Sequence, residues 1–139
     1  METVQTLLII ASVINVSLAF VVFIAYLQTK KNFLISFSIF VLNLFIWVIT
    51  MYNFRLSNTV DEAKIWAKLL YTSASFIPFF FLLFVQNFSK LQTHKLKVIL
   101  LFCSISSTTF ALLSLFGDLI ESVVLDDTKE KVINFGNSY

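Results

Sequence analysis

Residues 61–88 read DEAKIWAKLLYTSASFIPFFFLLFVQNF. The stretch opens on acids and lysines, carries no charge after Lys68, and holds Pro78, the only proline in the chain. Its apolar half, Phe76–Phe88, suits the core of a soluble helix, a buried strand or a membrane span. Proline is costly inside the first two, because it lacks an N–H and its ring crowds the carbonyl four residues back. A bilayer-spanning helix tolerates it, since neighbouring helices and hydroxyl side chains can satisfy the freed backbone.

The rest of the chain decides for the membrane. Of 139 residues, 58% are hydrophobic and 13% charged, whereas an ordinary soluble domain is roughly 25% charged. Four stretches carry no Asp, Glu, Lys, Arg or His: Val4–Leu27, Phe33–Phe54, Leu69–Phe88 and Val98–Phe116. Each approaches the ~20 residues that cross the hydrocarbon at about 1.5 Å per residue. The backbone must satisfy itself there, so all four are read as helices despite their Phe, Val and Ile content. The expected fold is all-α: a polytopic transmembrane bundle over residues 1–117, followed by an extracytoplasmic tail or loop, 118–139. The N-terminus, METVQT, lacks the basic residues of a signal peptide.

Orientation follows from the loops. Lys30 and Lys31 join the first two spans, and Lys90, Lys95 and Lys97 join the third and fourth, with no acid in either loop. The other side carries Arg55, Lys64, Lys68, Lys129 and Lys131, so lysine and arginine counts tie at five each. Lys129 and Lys131 lie more than ten residues beyond the last span, among acids. The compact acid-free loops are therefore the expected cytoplasmic anchors, with the N-terminus and acidic tail outside.

Thr59-Val-Asp-Glu62 fits a capping box, which starts the third helix near Val60, ahead of the apolar run that begins at Leu69. Asp61, Lys64, Lys68, Thr72 and Ser75 recur at spacings of three and four, either as a solvated helix end or as one wall of an outward-facing pocket. Trp66 and Tyr71 suit the membrane interface. Pro78 predicts a kink, with Ser73, Ser75 or a packed neighbour relieving the Ala74 carbonyl. The tail has two β-prone runs around a polar turn, a candidate small β-hairpin that needs a surface to pack on.

Catalytic signatures are absent: no P-loop, GxGxxG, HExxH or GxSxG. No cofactor-binding or metal-ligating residue is assigned. Cys103 lies in an apolar run without a second cysteine, and His94 lies in a basic loop without an acidic neighbour. No basic patch interleaved with aromatics supports nucleic-acid binding. The spans lack the buried charges of pumps and voltage sensors. Asn15 and Asn43 fall near mid-span as candidate interhelical hydrogen-bond formers. Ser104/Thr108 and Ser107/Ala111 form small-xxx-small pairs that permit close helix approach.

The order of landmarks resembles the N-terminal seven-transmembrane region of bacterial and archaeal sensor histidine kinases, which also precedes diguanylate cyclase and other output domains. The resemblance rests on Trp47 in NLFIWVITMYNF, on Ala63, Trp66, Leu69 and Tyr71 in the approach to the third span, and on Pro78 and Phe84 within it. It implies a sensor input segment on the prokaryotic plasma membrane, with Pro78, Trp47, Trp66 and Tyr71 as structural or sensor residues, to which the polar face of the third helix adds Lys68. The partners implied are lipid, further transmembrane helices or a cytoplasmic signalling domain, with a homodimer allowed. The chain holds four of the seven spans and neither a phosphoacceptor helix nor nucleotide-binding boxes, so it is expected not to be an enzyme itself. It reads as a fragment, or as a short stand-alone relative. The rival readings are a complete four-helix accessory membrane protein and a piece of a transporter or channel.

Overall fold

The computed structural model describes residues 2–90 and 93–117, together with the backbone of 120–125 and 131–135. Four helices run in sequence: α1 Glu2–Thr29, α2 Asn32–Leu56, α3 Val60–Ser89 and α4 His94–Phe116. All four are long and apolar enough to cross a membrane. Short connections force neighbours to run antiparallel. The helices pack in chain order, α1 on α2, α2 on α3 and α3 on α4, while the other helix pairs barely touch. The result is an open row rather than a closed bundle, with α2 and α3 as its two inner members.

Local chemistry sets the ends. Thr59 is the N-cap of α3, its hydroxyl accepting from the Glu62 N–H at 3.3 Å. Glu62 reaches back to the Asn58 N–H at 3.4 Å, one residue before the cap. The capping box thus starts α3 where the sequence predicts. Gly117 ends α4 in extended backbone, with its N–H donating to the Leu113 carbonyl. A Cβ at Gly117 would lie 2.7 Å from that carbonyl oxygen, so close approach, not a left-handed turn, requires the glycine.

Lipid tails are as apolar as leucine, so contact quality and hydrogen bonds decide how these helices face one another. Ser38 donates to the Ala19 carbonyl at 2.9 Å, joining α1 to α2. Asn43 donates to the Ser73 carbonyl at 3.1 Å, and Asn87 to the Ser36 hydroxyl, both joining α2 to α3. Asn15 bonds no other helix among the described residues. The phenylalanines are more ordered than bulk apolar mass: Phe33 meets Phe88, Phe37 meets Phe84 and Phe40 meets Phe81, with ring centroids 5.1–5.8 Å apart. Steps of four and three on both helices keep this antiparallel zipper on one seam. It occupies the half of α3 beyond Pro78. The half before it packs through small residues, with Ala63 and Ala67 buried against Phe54, and Trp66 and Tyr71 flanking them.

Beyond α4, strands β1 Ile120–Leu125 and β2 Lys131–Phe135 pair antiparallel, with an irregularity between Ile120 and Ser122. β1 lies against α3, which supplies a surface that an isolated strand pair lacks. The turn of the expected hairpin, 126–130, and the remainder of the tail lie outside the described residues.

Candidate site at the groove between helices three and four

The buried residues of α4 are Leu100, Ser107, Ala111 and Ser114. Their spacing puts them on one face, and α3 is the helix α4 packs against. Of the two small-residue pairs, Ser107/Ala111 therefore faces α3. Thr108, by contrast, is exposed and donates back to the Ser104 carbonyl. The small side chains bring the backbones close at the C-terminal end of α4 and leave a gap lower down.

That gap is a groove of about 440 Å³. From α3 it is lined by Tyr71, Ala74, Ser75 and Pro78, and from α4 by Phe102, Cys103, Ser106, Ser107, Phe110 and Ser114. The volume lies within the range of small-molecule sites, roughly 300–1,000 Å³. Serine and threonine in a membrane helix ordinarily donate to a carbonyl three or four residues back. Ser75 does so to Thr72, and Thr109 to Ile105. Ser106 and Ser107 do not, and neither hydroxyl has a hydrogen-bond partner among the described residues. Two hydroxyls free to donate thus border a mostly apolar slot.

At one end of the groove α3 and α4 are clipped together. The Lys68 ammonium donates to the Leu115 carbonyl at 3.3 Å, and Ser114 donates to the Lys68 carbonyl at 2.9 Å. Leu115 lies in the last turn of α4, whose carbonyls lack helical partners and carry the negative end of the dipole. A lysine there is favourable both as a donor and as a charge.

Of the residues singled out in the sequence, Tyr71 and Pro78 line the groove and Lys68 closes it. Trp66 packs instead on the Phe54–Ala63–Ala67 cluster. Trp47 lies half-buried on α2 away from the groove, its carbonyl accepting from Thr50 at 2.8 Å. The polar face of α3 is not one continuous wall: Asp61 is exposed, Thr72 donates to the Lys68 carbonyl, and only Ser75 of the set lines the groove. Relief around Pro78 also differs from expectation. Ser73 and Ser75 donate upstream to Leu70 and Thr72, so neither serves the Ala74 carbonyl. The neighbouring helix contributes in that turn through Asn43, which takes the carbonyl of Ser73. The α4 half of the groove was the part that sequence reasoning missed. Its signal in the sequence is the hydroxyl-rich run SISSTT, residues 104–109, which holds more hydroxyls than the small-residue pairs need for packing. Among the described residues no group of three or more His, Cys, Asp or Glu side chains converges as a metal site would.

Comparison with known proteins gives one finding. The family model of the N-terminal 7TM region of histidine kinase matches residues 7–132. No curated protein and no solved structure matches the chain significantly.

Proposed function

The chain belongs to the family of N-terminal seven-transmembrane regions of histidine kinases, and on that premise we propose that it is the membrane-embedded input segment of a signal-transducing protein. Its work is to sense, and catalysis is assigned to an output domain of a longer parent, a histidine kinase or a diguanylate cyclase. The segment resides in a prokaryotic plasma membrane, with the N-terminus and the segment after α4 outside and the lysine loops inside. This orientation rests on the acid-free loops at Lys30–Lys31 and Lys90–Lys97.

One observation carries the reading: Ser106 and Ser107 offer free hydroxyls to a groove that runs beside Pro78. A small amphipathic ligand with an acceptor group, entering from the outer leaflet, would satisfy those hydroxyls and wedge α4 from α3. Proline removes one backbone hydrogen bond of α3 at that level, so the helix is easiest to bend there. Bending α3 would move α2 through the phenylalanine zipper and shift the cytoplasmic ends of all three helices. A ligand moves this equilibrium only by binding one arrangement better than the other.

The test is to express the segment in frame with the genomic sequence that follows Tyr139 and to measure output as phosphorylation or cyclic dinucleotide. Both Pro78→Ala and the double change Ser106→Ala/Ser107→Ala are expected to reduce the stimulated response while leaving membrane insertion intact. Unchanged output in both would overturn the proposal. A stop codon at once after Tyr139 would favour the four-helix accessory protein instead.

A further inference from the structure

The end of the molecule opposite the Lys68 clip carries a second cavity, of about 540 Å³, between the α1–α2 connection and the end of α3. Lys30, Lys31 and Lys90 stand around it, Gln86 and Asn32 add polar groups, and Phe33 supplies an apolar wall.

The backbone builds this arrangement deliberately. Lys30 ends α1 with φ 55° and Lys90 ends α3 with φ 54°, both in the left-handed region. Glycine is the usual residue at such helix ends, because a side chain is disfavoured there. Lysine at both ends accepts that strain and gains a cation at each turn. Lys30 is held at its own helix end, with its N–H on the Tyr26 carbonyl at 2.7 Å and its ammonium 5.5 Å from the centre of the Tyr26 ring. Lys31 precedes α2, whose N-terminus has no side-chain cap. The first N–H groups of α2, and the positive end of its dipole, therefore add to the lysine charge. The carbonyl ends of α1 and α3 offset part of this field, but no carboxylate of the described helices does. Among the described residues the acids are Glu2, Asp61 and Glu62, all at the opposite end, and Glu121, in the strand that follows the far end of α4. Below the lysines, Phe33 packs edge-on to Phe88, with ring centroids 5.7 Å apart. A cationic rim over an aromatic floor, at the end of helices that span a membrane, lies at the depth where a phosphate headgroup joins its acyl chains.

We infer that this cavity holds the phosphodiester headgroup of an anionic phospholipid, with Lys30, Lys31 and Lys90 around the phosphate and the upper acyl chain on Phe33 and Phe88. The inference stands on the cavity alone and is independent of the sensor reading. Basic residues at a membrane surface attract anionic lipid at about 1 kcal/mol each, a factor of about five per lysine.

The test uses the full chain in bilayer nanodiscs, with spin-labelled phosphatidylglycerol and phosphatidylcholine compared by the fraction of motionally restricted label. The wild type is expected to prefer phosphatidylglycerol. Lys30→Gln/Lys90→Gln should lower that preference about fivefold or more, and Lys30→Arg/Lys90→Arg should keep most of it. Lys95→Gln/Lys97→Gln removes the same charge at the same end of the molecule, outside the cavity, and should keep most of the preference. Equal losses in the two Gln pairs would mean diffuse surface charge and overturn the site, as would a wild type without preference. Inorganic phosphate is the remaining arm. If millimolar phosphate binds the lipid-free protein in detergent with the same Lys30 and Lys90 dependence and abolishes the lipid preference, the site is one for free phosphate and the lipid assignment fails.

Discussion

Lys68→Met removes one ammonium from the end of α4 while keeping most of the side chain's length. The contact it breaks joins the middle of the row to its last member. The Lys68 side chain is half-buried and donates to Leu115 at 3.3 Å, at or beyond the long end of good N–H···O geometry. A hydrogen bond to a charged group contributes about 1.5–3 kcal/mol when well made. A charge at a partly buried helix C-terminus contributes up to about 2 kcal/mol, and about 0.3–1 kcal/mol at an exposed one. These describe the same contact and are not summed. Its length and partial exposure place the expected loss near 1–1.5 kcal/mol. Ser114→Ala should cost less, about 0.6 kcal/mol, because the Lys68 carbonyl keeps the Thr72 hydroxyl as a donor at 2.7 Å. The assay is equilibrium unfolding in mixed micelles, followed by helical circular dichroism as the fraction of denaturing detergent rises. Lys95→Met, at an exposed position in the first turn of α4, is the control and should show no loss, since a cation near a helix N-terminus is unfavourable. If Lys68→Met falls within about 0.3 kcal/mol of wild type, or no further than Lys95→Met, the clip does not hold α4 and the argument from the helix terminus is wrong.

Two further outcomes follow from the packing. Phe37 and Phe84 are the closest ring pair of the zipper, at 5.1 Å, so a double-mutant cycle to alanine should give a coupling of about 0.5–1.5 kcal/mol; additive losses would show that the pair contributes area and no specific contact. Gly117→Ala should destabilise by about 1–3 kcal/mol through the clash with the Leu113 carbonyl, read as a lower unfolding midpoint in the same micelles, and a neutral result would mean that the end of α4 yields easily.

On the proposed reading, the groove at Pro78 would couple a ligand between α3 and α4 to the helix ends beyond it. The clip, the groove and the zipper follow one another along α3: Lys68 ties α4 at one end, Pro78 sits in the middle, and Phe81, Phe84 and Phe88 tie α2 at the other. A helix held differently on its two halves, with a missing backbone bond between them, is suited to transmit bending rather than sliding.

The sequence by itself determined the helices and their ends. Charge-free runs mark what can enter lipid, and Thr59 with Glu62 marks the start of α3, because hydropathy and capping are properties of neighbouring residues along the chain. It also showed that Pro78 lies in a span and that Asn43 lies deep enough to need a partner. Tertiary structure alone decided which faces meet. Helices that are apolar almost all round carry no stripe from which a buried side can be read. Nothing local says that Phe37 pairs with Phe84, that Asn43 takes Ser73 rather than Ala74, or that Ser107 is turned to α3 while Thr108 is not. Those outcomes depend on the rotation of each helix about its axis, which is settled only when two surfaces pack together. The convergence of Lys30, Lys31 and Lys90 on one cavity has the same origin: residues some sixty positions apart in sequence meet because α2 and α3 return the chain to the same end of the molecule.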